Sequence, residues 1–285
     1  MKQVYLTGGL GNQLFQFYVL RKMNIFQEEV KYSYVKHPHR QLEISPLIGQ
    51  HVVSIARYEL PKTLLINALI AKAKSRFGKM FGLSSFGRSR LFSSNVDLRR
   101  QNTGCLKLLG HNMGYFQFPQ YLLDSRSEIR EHFNSSVSSM IGESTFVDEI
   151  KKYDIAISMR LGSDYLNIPD MNICDYDYYK KAITEVLKKK QIENITPTFY
   201  IFSDKVDKAQ EILHTLNCKC KVVTTNNPLE GLFLLSKFNN YILSNSSFAW
   251  WGMFLSQCNF DNVISPKQWS KSTLHDINLE AFVHV

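Results

Sequence analysis

Ile155-Ala156-Ile157-Ser158-Met159-Arg160-Leu161-Gly162-Ser163-Asp164-Tyr165 is the stretch on which the fold turns. Its first five residues read as a buried β-strand, and a charged arginine, a glycine turn and an aspartate follow at once. An arginine at the carboxyl end of a parallel strand is well placed to grip a diphosphate through two N–H bonds. In a surface loop the same residues would form an ordinary ion pair.

Downstream, apolar strand runs recur at 198–202, 221–224, 241–243 and 263–264. Helical stretches at 178–189, 206–216, 229–238 and 248–256 separate most of them. Such alternation predicts an α/β fold with a parallel sheet covered on both faces and ligands at the carboxyl ends of its strands. Upstream, Ser135-Ser136-Val137-Ser138-Ser139 reads as a loosening of the chain, which places a domain boundary near residue 140 and gives domains 1–140 and 141–285. The first domain opens with a strand at 3–6, a glycine-rich turn (Thr7-Gly8-Gly9-Leu10-Gly11-Asn12) and a helix from Gln13 to about Asn24. Leu14, Phe15, Tyr18 and Val19 are spaced as its buried face. The region from Ser33 to Arg100 is less regular. Two α/β lobes joined in this way leave a cleft, the usual place for a large two-part ligand.

Three more segments carry chemistry. Gly8-Gly9-Leu10-Gly11-Asn12-Gln13 lies between strand and helix, where glycines let backbone N–H groups approach a phosphate. Leu14 stands where a dinucleotide fingerprint needs its third glycine, and no Lys-Ser/Thr pair makes it a P-loop. A tight turn that merely needs glycine would look the same. Phe199-Tyr200-Ile201-Phe202-Ser203-Asp204 ends an apolar strand in a hydroxyl and a carboxylate, suited to a base or ribose or to capping the next helix. Leu243-Ser244-Asn245-Ser246-Ser247-Phe248-Ala249-Trp250-Trp251-Gly252 leads a strand into a polar run that opens a helix. Hydroxyls and unpaired N–H groups at a helix start make an anion site without any lysine. Adjacent tryptophans point about 100° apart on a helix, so at least one is expected in the core.

Composition bounds the reading. A hydrophobic content of 44% and an aromatic content of 13% over 285 residues fill packed cores and exclude disorder. The cysteines (Cys105, Cys174, Cys218, Cys220, Cys258) are odd in number and lack CxxC spacing, which fits a reducing compartment. With no apolar leader and no apolar run of about 20 residues, a cytoplasmic protein is expected, peripheral at most on the inner face of the cell membrane. The formal charge of +9 is concentrated in 62–100, where Lys62, Lys72, Lys74, Arg76, Lys79, Arg88, Arg90, Arg99 and Arg100 face Asp97 alone. Part of that segment reads as an amphipathic basic helix, either docked on anionic lipid or solvated on its own lobe. No nucleic-acid-binding motif is present, so a nucleic acid is not an expected partner.

In order and spacing, these segments resemble the bacterial α-1,2-fucosyltransferases and their relatives, inverting enzymes that use GDP-fucose. The family's GGLGNQLFQ is matched without a break from Gly8 to Gln16, and its NSSFSWWG from Asn245 to Gly252 with only Ala249 changed. Weaker echoes are Arg40 with Leu42-Glu43, Gly114-Tyr115-Phe116-Gln117, Phe202-Ser203-Asp204 and Ser265-Pro266-Lys267-Gln268-Trp269. The signature H-x-R-R-G-D-Y departs: its histidine is Ser158, its second arginine is Leu161, and Ser163 is inserted before Asp164.

The resemblance implies a GT-B-like architecture, an N-terminal acceptor-side lobe and a C-terminal lobe holding GDP. It implies transfer of L-fucose to a galactose-type hydroxyl of a surface glycan such as O-antigen or capsule, or of another GDP-linked sugar. No metal and no other cofactor is implied, and Asp175-Tyr176-Asp177 sits at the front of a helix rather than after a strand as a metal-binding DxD would. Arg160 would stabilise charge on the β-phosphate. Gly9, Gly11, Asn12, Gln13, Ser158, Ser203, Asp204, Asn245, Ser246, Ser247 and Phe248 would contact the donor, and Tyr115 and Gln117 the acceptor. Asp164, placed with Arg160 in the catalytic pair, is a candidate base together with His39 and Glu43. A nucleotide-dependent oxidoreductase would need the missing third glycine, and a membrane-associated scaffold leaves Arg160 and 245–251 without a purpose.

Overall fold

The structure, a computed structural model, describes residues 2–22, 30–37, 39–60, 111–113, 115–141, 145–192, 194–271 and 277–285. The basic segment 62–100 and its expected amphipathic helix lie outside the described residues. The chain forms two compact units, Met1–Asp124 and Ser125–Val285. Their division falls before the boundary expected near residue 140, because helix Arg126–Val137 belongs to the second unit. There Arg126 donates to the carbonyls of Phe254, Cys258, Met253 and Ser256, and its guanidinium lies 4.4 Å from the ring centroid of Phe260. The serine run does not loosen the chain at Ser135 and Ser136. Both hydroxyls donate back to the carbonyl of His132, and the helix continues to Val137.

The first unit holds a parallel sheet in the order β3-β2-β1-β4: β1 Lys2–Leu6, β2 Val30–Val35, β3 Val53–Ile55 and β4 His111–Met113. Helix α1, Leu10–Lys22, follows β1 and begins earlier than Gln13. It is buried from Leu10 to Leu20 apart from Asn12.

The second unit is a parallel sheet in the order β10-β9-β8-β5-β6-β7. Its strands are β5 Ile155–Met159, β6 Phe199–Ser203, β7 Cys220–Val222, β8 Asn240–Ile242, β9 Val263–Ser265 and β10 Val283–His284. Numbered within the unit this is the doubly wound order 3-2-1-4-5-6 read from its far edge. All five residues of β5 are buried, as a central parallel strand requires. Helices α2 Arg126–Val137, α3 Tyr176–Ile192, α4 Val206–Thr215, α5 Pro228–Leu235 and α6 Ser247–Leu255 cover it. Asn227 caps α5 by accepting the Glu230 N–H, and Pro228 takes the first helical position.

Helix α6 is buried along Ala249–Leu255, so its sequence is apolar on every face. Both tryptophans are core: Trp250 and Trp251 are fully buried, and Trp250 stacks on Phe254 at 4.7 Å. Gly252 sets how closely α6 approaches α5. A Cβ there would fall 2.3 Å from Cγ and Cδ2 of Leu235. Among the described residues, no helix is long and apolar enough to cross a membrane.

Candidate functional site

In the second sheet, β5 has β6 on one side and β8 on the other, so the order in which strands are added reverses between β5 and β8. The carboxyl ends of these strands are where an open α/β sheet receives its ligand. Three of the four chemistry-bearing segments end there: Arg160 after β5, Asp204 after β6 and 243–247 after β8.

Asp204 organises this edge. Its Oδ2 accepts from Arg160 Nη1 at 2.6 Å and from the Gly162 N–H at 3.1 Å, while Oδ1 accepts from the Leu161 N–H at 2.8 Å. The carboxylate expected to meet a base or ribose is instead directed at the turn after β5, where it fixes both backbone and guanidinium. Neither Ser203 nor Asp204 caps α4, whose N-cap position is Lys205. Ser203 Oγ donates to the Met159 carbonyl at 2.8 Å and accepts the Lys205 N–H at 3.0 Å, tying β6 to β5. Arg160 also lies near the Tyr165 ring, 5.6 Å from its centroid. Leu161 is buried in the core where the resembled family has arginine, and Asp164 is carried on the one-turn helix Ser163–Leu166.

Ser158 and Asn245 face inward. Ser158 Oγ pairs with Ser244 Oγ at 3.0 Å, a buried hydroxyl contact across the switch point. Asn245 Nδ2 donates to the carbonyls of Met171 and Trp269, each at 2.9 Å, and its own carbonyl accepts from the Tyr165 hydroxyl. The Tyr178 hydroxyl donates to the Leu243 carbonyl. Burial drives the Tyr178 and Tyr179 phenols well above their ordinary range, so both stay protonated as donors. Sequence reasoning missed these tyrosines. Their signal was a pair of aromatics at the front of a helix facing a polar strand end.

Ser246, Ser247 and Phe248 remain partly exposed at the start of α6. Ser246 is extended (φ −121°, ψ 122°), its side chain makes no capping bond, and the first turn contains no carboxylate. Helix geometry leaves the first N–H groups without intrahelical acceptors, and the dipole favours an anion. Arg160 and this helix start are the surface features of the edge. Ser158 and Asn245 are buried behind them, while exposed Asp204 and half-buried Ser203 brace the edge.

The first sheet has a switch point of its own, between β1 and β4. Gly8 adopts φ +81°, and a Cβ there would meet Asn12 Nδ2 at 2.7 Å, so the turn requires glycine. Gly9 has room for a Cβ, whose nearest neighbour would be Arg40 Cδ at 3.6 Å, and Gly11 is buried inside α1. Asn12 Oδ1 accepts from Gln117 Nε2 at 2.9 Å, joining the glycine loop to the segment after β4. Between Tyr115 and Gln117, buried Phe116 is left-handed (φ 49°), a conformation costing about 1–3 kcal/mol in a bulky residue.

Gln13, expected at the donor, bonds within its own unit. It is fully buried and donates to the carbonyls of Gly8 and Gln41 at 2.8 and 2.7 Å. It also accepts the N–H groups of Glu43 and Ile44 at 3.0 and 3.2 Å, which uses all four positions of its amide inside the unit. His37 and His39 are exposed, with ring centroids 6.1 Å apart. Among the described residues, no group of three His, Cys, Asp or Glu side chains is placed to hold a metal ion.

Residues 90–283 match the sequence model of Glycosyl transferase family 11. An α-1,2-colitosyltransferase of Escherichia coli is 24% identical over 93% of this chain and 90% of its own. The O-antigen biosynthesis glycosyltransferase WbnK of Escherichia coli is 25% identical over 93% of both. Among solved structures, POFUT1 in complex with GDP aligns at 11% identity with a TM-score of 0.45, over 93% of this chain and 97% of that one. The E. coli heptosyltransferase WaaC with ADP-2-deoxy-2-fluoro heptose aligns at 10% identity and 0.48, over 99% and 92%.

Proposed function

The chain belongs to glycosyl transferase family 11, and from that premise we propose that this glycosyltransferase moves L-fucose from GDP-fucose to a galactose-type hydroxyl of a surface glycan, forming an α-1,2 linkage. One observation carries the reading: Arg160, fixed by Asp204, and the start of α6 stand at the switch point of one parallel sheet. A diphosphate suits that pairing. Helix N–H groups with Ser246 and Ser247 hold the ground-state charge, and the guanidinium takes the charge that develops as the glycosidic bond breaks. No metal and no other cofactor is called for, since cation and dipole neutralise the leaving group. A second reading, another GDP-linked sugar, is favoured by Ser158, which has no imidazole to offer a donor, and by the colitose named for one relative. Basic residues within 62–100 would bring the enzyme to an anionic membrane carrying its acceptor.

The test is a panel of GDP-, UDP- and ADP-sugars incubated with the protein, with and without galactosides. Nucleotide release and the linkage of any product are followed by NMR. The reading expects release of GDP from GDP-fucose, accelerated by a galactoside and giving an α-1,2 product. Activity confined to UDP- or ADP-sugars, or none with any donor, overturns it.

A further inference from the structure

Tyr165 lies between the two groups on which the proposed diphosphate site depends. Its ring centroid is 5.6 Å from the guanidinium carbon of Arg160, inside the range of about 6 Å over which a cation is drawn to an aromatic face. Its hydroxyl donates to the carbonyl of Asn245, the residue before the N-cap position of α6. One side chain therefore touches both the cation and the loop that opens the helix, and all of these residues belong to the second unit.

Both ends of this strut are held. At the arginine end, the Gly162 N–H donates to Asp204, and the Gly162 carbonyl accepts the N–H groups of Tyr165 and Leu166, each at 3.0 Å. The carboxylate that pairs with Arg160 thus also anchors the helical turn that brings Tyr165 to the guanidinium. At the helix end, Asn245 is 2% exposed and its Nδ2 is bonded to the carbonyls of Met171 and Trp269. The Asp170 carbonyl accepts the Lys271 N–H at 2.8 Å, so the chain beyond Tyr165 is tied down as well. Arginine is rich in rotamers, and charge that appears only in the transition state is best met by a group already in place. A carboxylate restrains the guanidinium along one N–H bond, and a ring at its side restrains its swing about that bond.

We propose that Tyr165 is a positioning residue for the transfer, holding Arg160 at a set spacing from the start of α6 so that cation and helix N–H groups meet one diphosphate. The proposal rests on the transferase reading. Tyr165 exchanges no proton and forms no bond to substrate in it; its hydroxyl is committed to a backbone carbonyl and its effect passes through Arg160. That effect falls on the chemical step. The α6 start shares the ground-state charge, whereas the developing charge depends on where the guanidinium stands.

The test is Tyr165→Leu with Tyr165→Phe beside it, each in the full chain and each also combined with Arg160→Ala. Tyr165→Leu should lower kcat about three- to thirtyfold, the rate equivalent of losing a cation–ring contact. Donor KM and GDP affinity by calorimetry should stay within about twofold of wild type. Tyr165→Phe keeps the ring and should be slowed less. In the Arg160→Ala chain neither substitution should slow transfer further, because the group it acts through is gone. A tyrosine that merely supports the loop would slow transfer equally with and without Arg160. If tryptophan fluorescence shows that the leucine chain does not fold, the phenylalanine variant carries the same cycle, with a loss of about two- to tenfold for the missing hydrogen bond. An active wild type whose Tyr165→Leu variant keeps kcat within about twofold overturns the assignment alone. So do equal losses with and without Arg160, a raised donor KM at normal kcat, or a phenylalanine variant as slow as the leucine one. A wild type inert towards every nucleotide sugar overturns the transferase reading and the assignment together.

Discussion

Replacing Asp204 with alanine separates the scaffold of the proposed diphosphate site from the groups that would touch a ligand. Three hydrogen bonds disappear: Arg160 Nη1 at 2.6 Å and the N–H groups of Leu161 and Gly162 at 2.8 and 3.1 Å. The ion pair contributes little, since both side chains keep about a fifth of their exposure (21% and 23%) and a screened pair is worth about 0–1 kcal/mol. The backbone groups decide the magnitude. Leu161 and Gly162 are buried, and each orphaned N–H costs about 1–2 kcal/mol, so Asp204→Ala should destabilise by about 2–4 kcal/mol.

For a unit of this size that is a fall in Tm of about 5–15 °C. Fluorescence follows it cleanly, because the three tryptophans, Trp250, Trp251 and Trp269, all lie in the second unit. Asp204→Asn keeps one acceptor and turns an amide N–H towards a donor, so about half the loss is expected. Below the transition, Asp204→Ala should lower kcat as far as Arg160→Ala does. The double variant should be little worse than either single one, because Arg160 without Asp204 is no longer held in place. A loss under about 0.5 kcal/mol with normal turnover, or strictly additive effects on kcat, would refute the argument that Asp204 acts through Arg160 and its turn.

Arg160→Ala should reduce kcat by about 10²–10³ with a much smaller loss of GDP affinity, and Arg160→Lys should recover little. A raised donor KM at normal kcat would mark a uniform binding contact instead. Gly252→Ala should cost about 1–3 kcal/mol by driving a methyl into Leu235, and Leu235→Ala in the same chain should relieve part of that loss in urea unfolding. Glu43→Gln should be at least as stable as wild type at pH 8. A carboxyl raised by burial gives stability that is full below its unfolded value and lost as pH rises through its folded one, so wild type carries an ionised buried group there and the glutamine variant does not. Transfer should persist in saturating EDTA, and loss on chelation with rescue by manganese would remove Arg160 and α6 as the neutralising groups.

Patterning made the second unit legible almost strand by strand. Its strands are short apolar runs between amphipathic helices, and β5 was bounded correctly because an arginine interrupts a fully buried strand. In the first unit, β2 and β3 were missed. Val30–Val35 alternates charged, hydroxyl and aromatic residues, and Val53–Ile55 is three residues long with two of them exposed, so neither carries a hydrophobic period. The two compact units divide before the boundary read near residue 140 for a related reason. Local polarity at Ser135–Ser139 suggested a linker, but the chain there is held by Arg126 contacts to residues far along the sequence, which no local pattern contains.

The candidate site was legible by location and less so by role. All four polar segments do lie at carboxyl ends of parallel strands, as strand-end reasoning requires. Within them, however, Gln13, Ser158, Ser203, Asp204 and the amide nitrogen of Asn245 bond to backbone or side chains of their own unit. Parallel strands leave N–H and carbonyl groups at their ends that a buried loop must satisfy. A long polar signature is the price of turning the chain sharply at such an edge. Arg160, itself paired with Asp204, and the start of α6 are the groups proposed to meet a ligand. Counting backbone groups at a strand end therefore predicts how many signature residues are scaffold. Geometry is needed to say which.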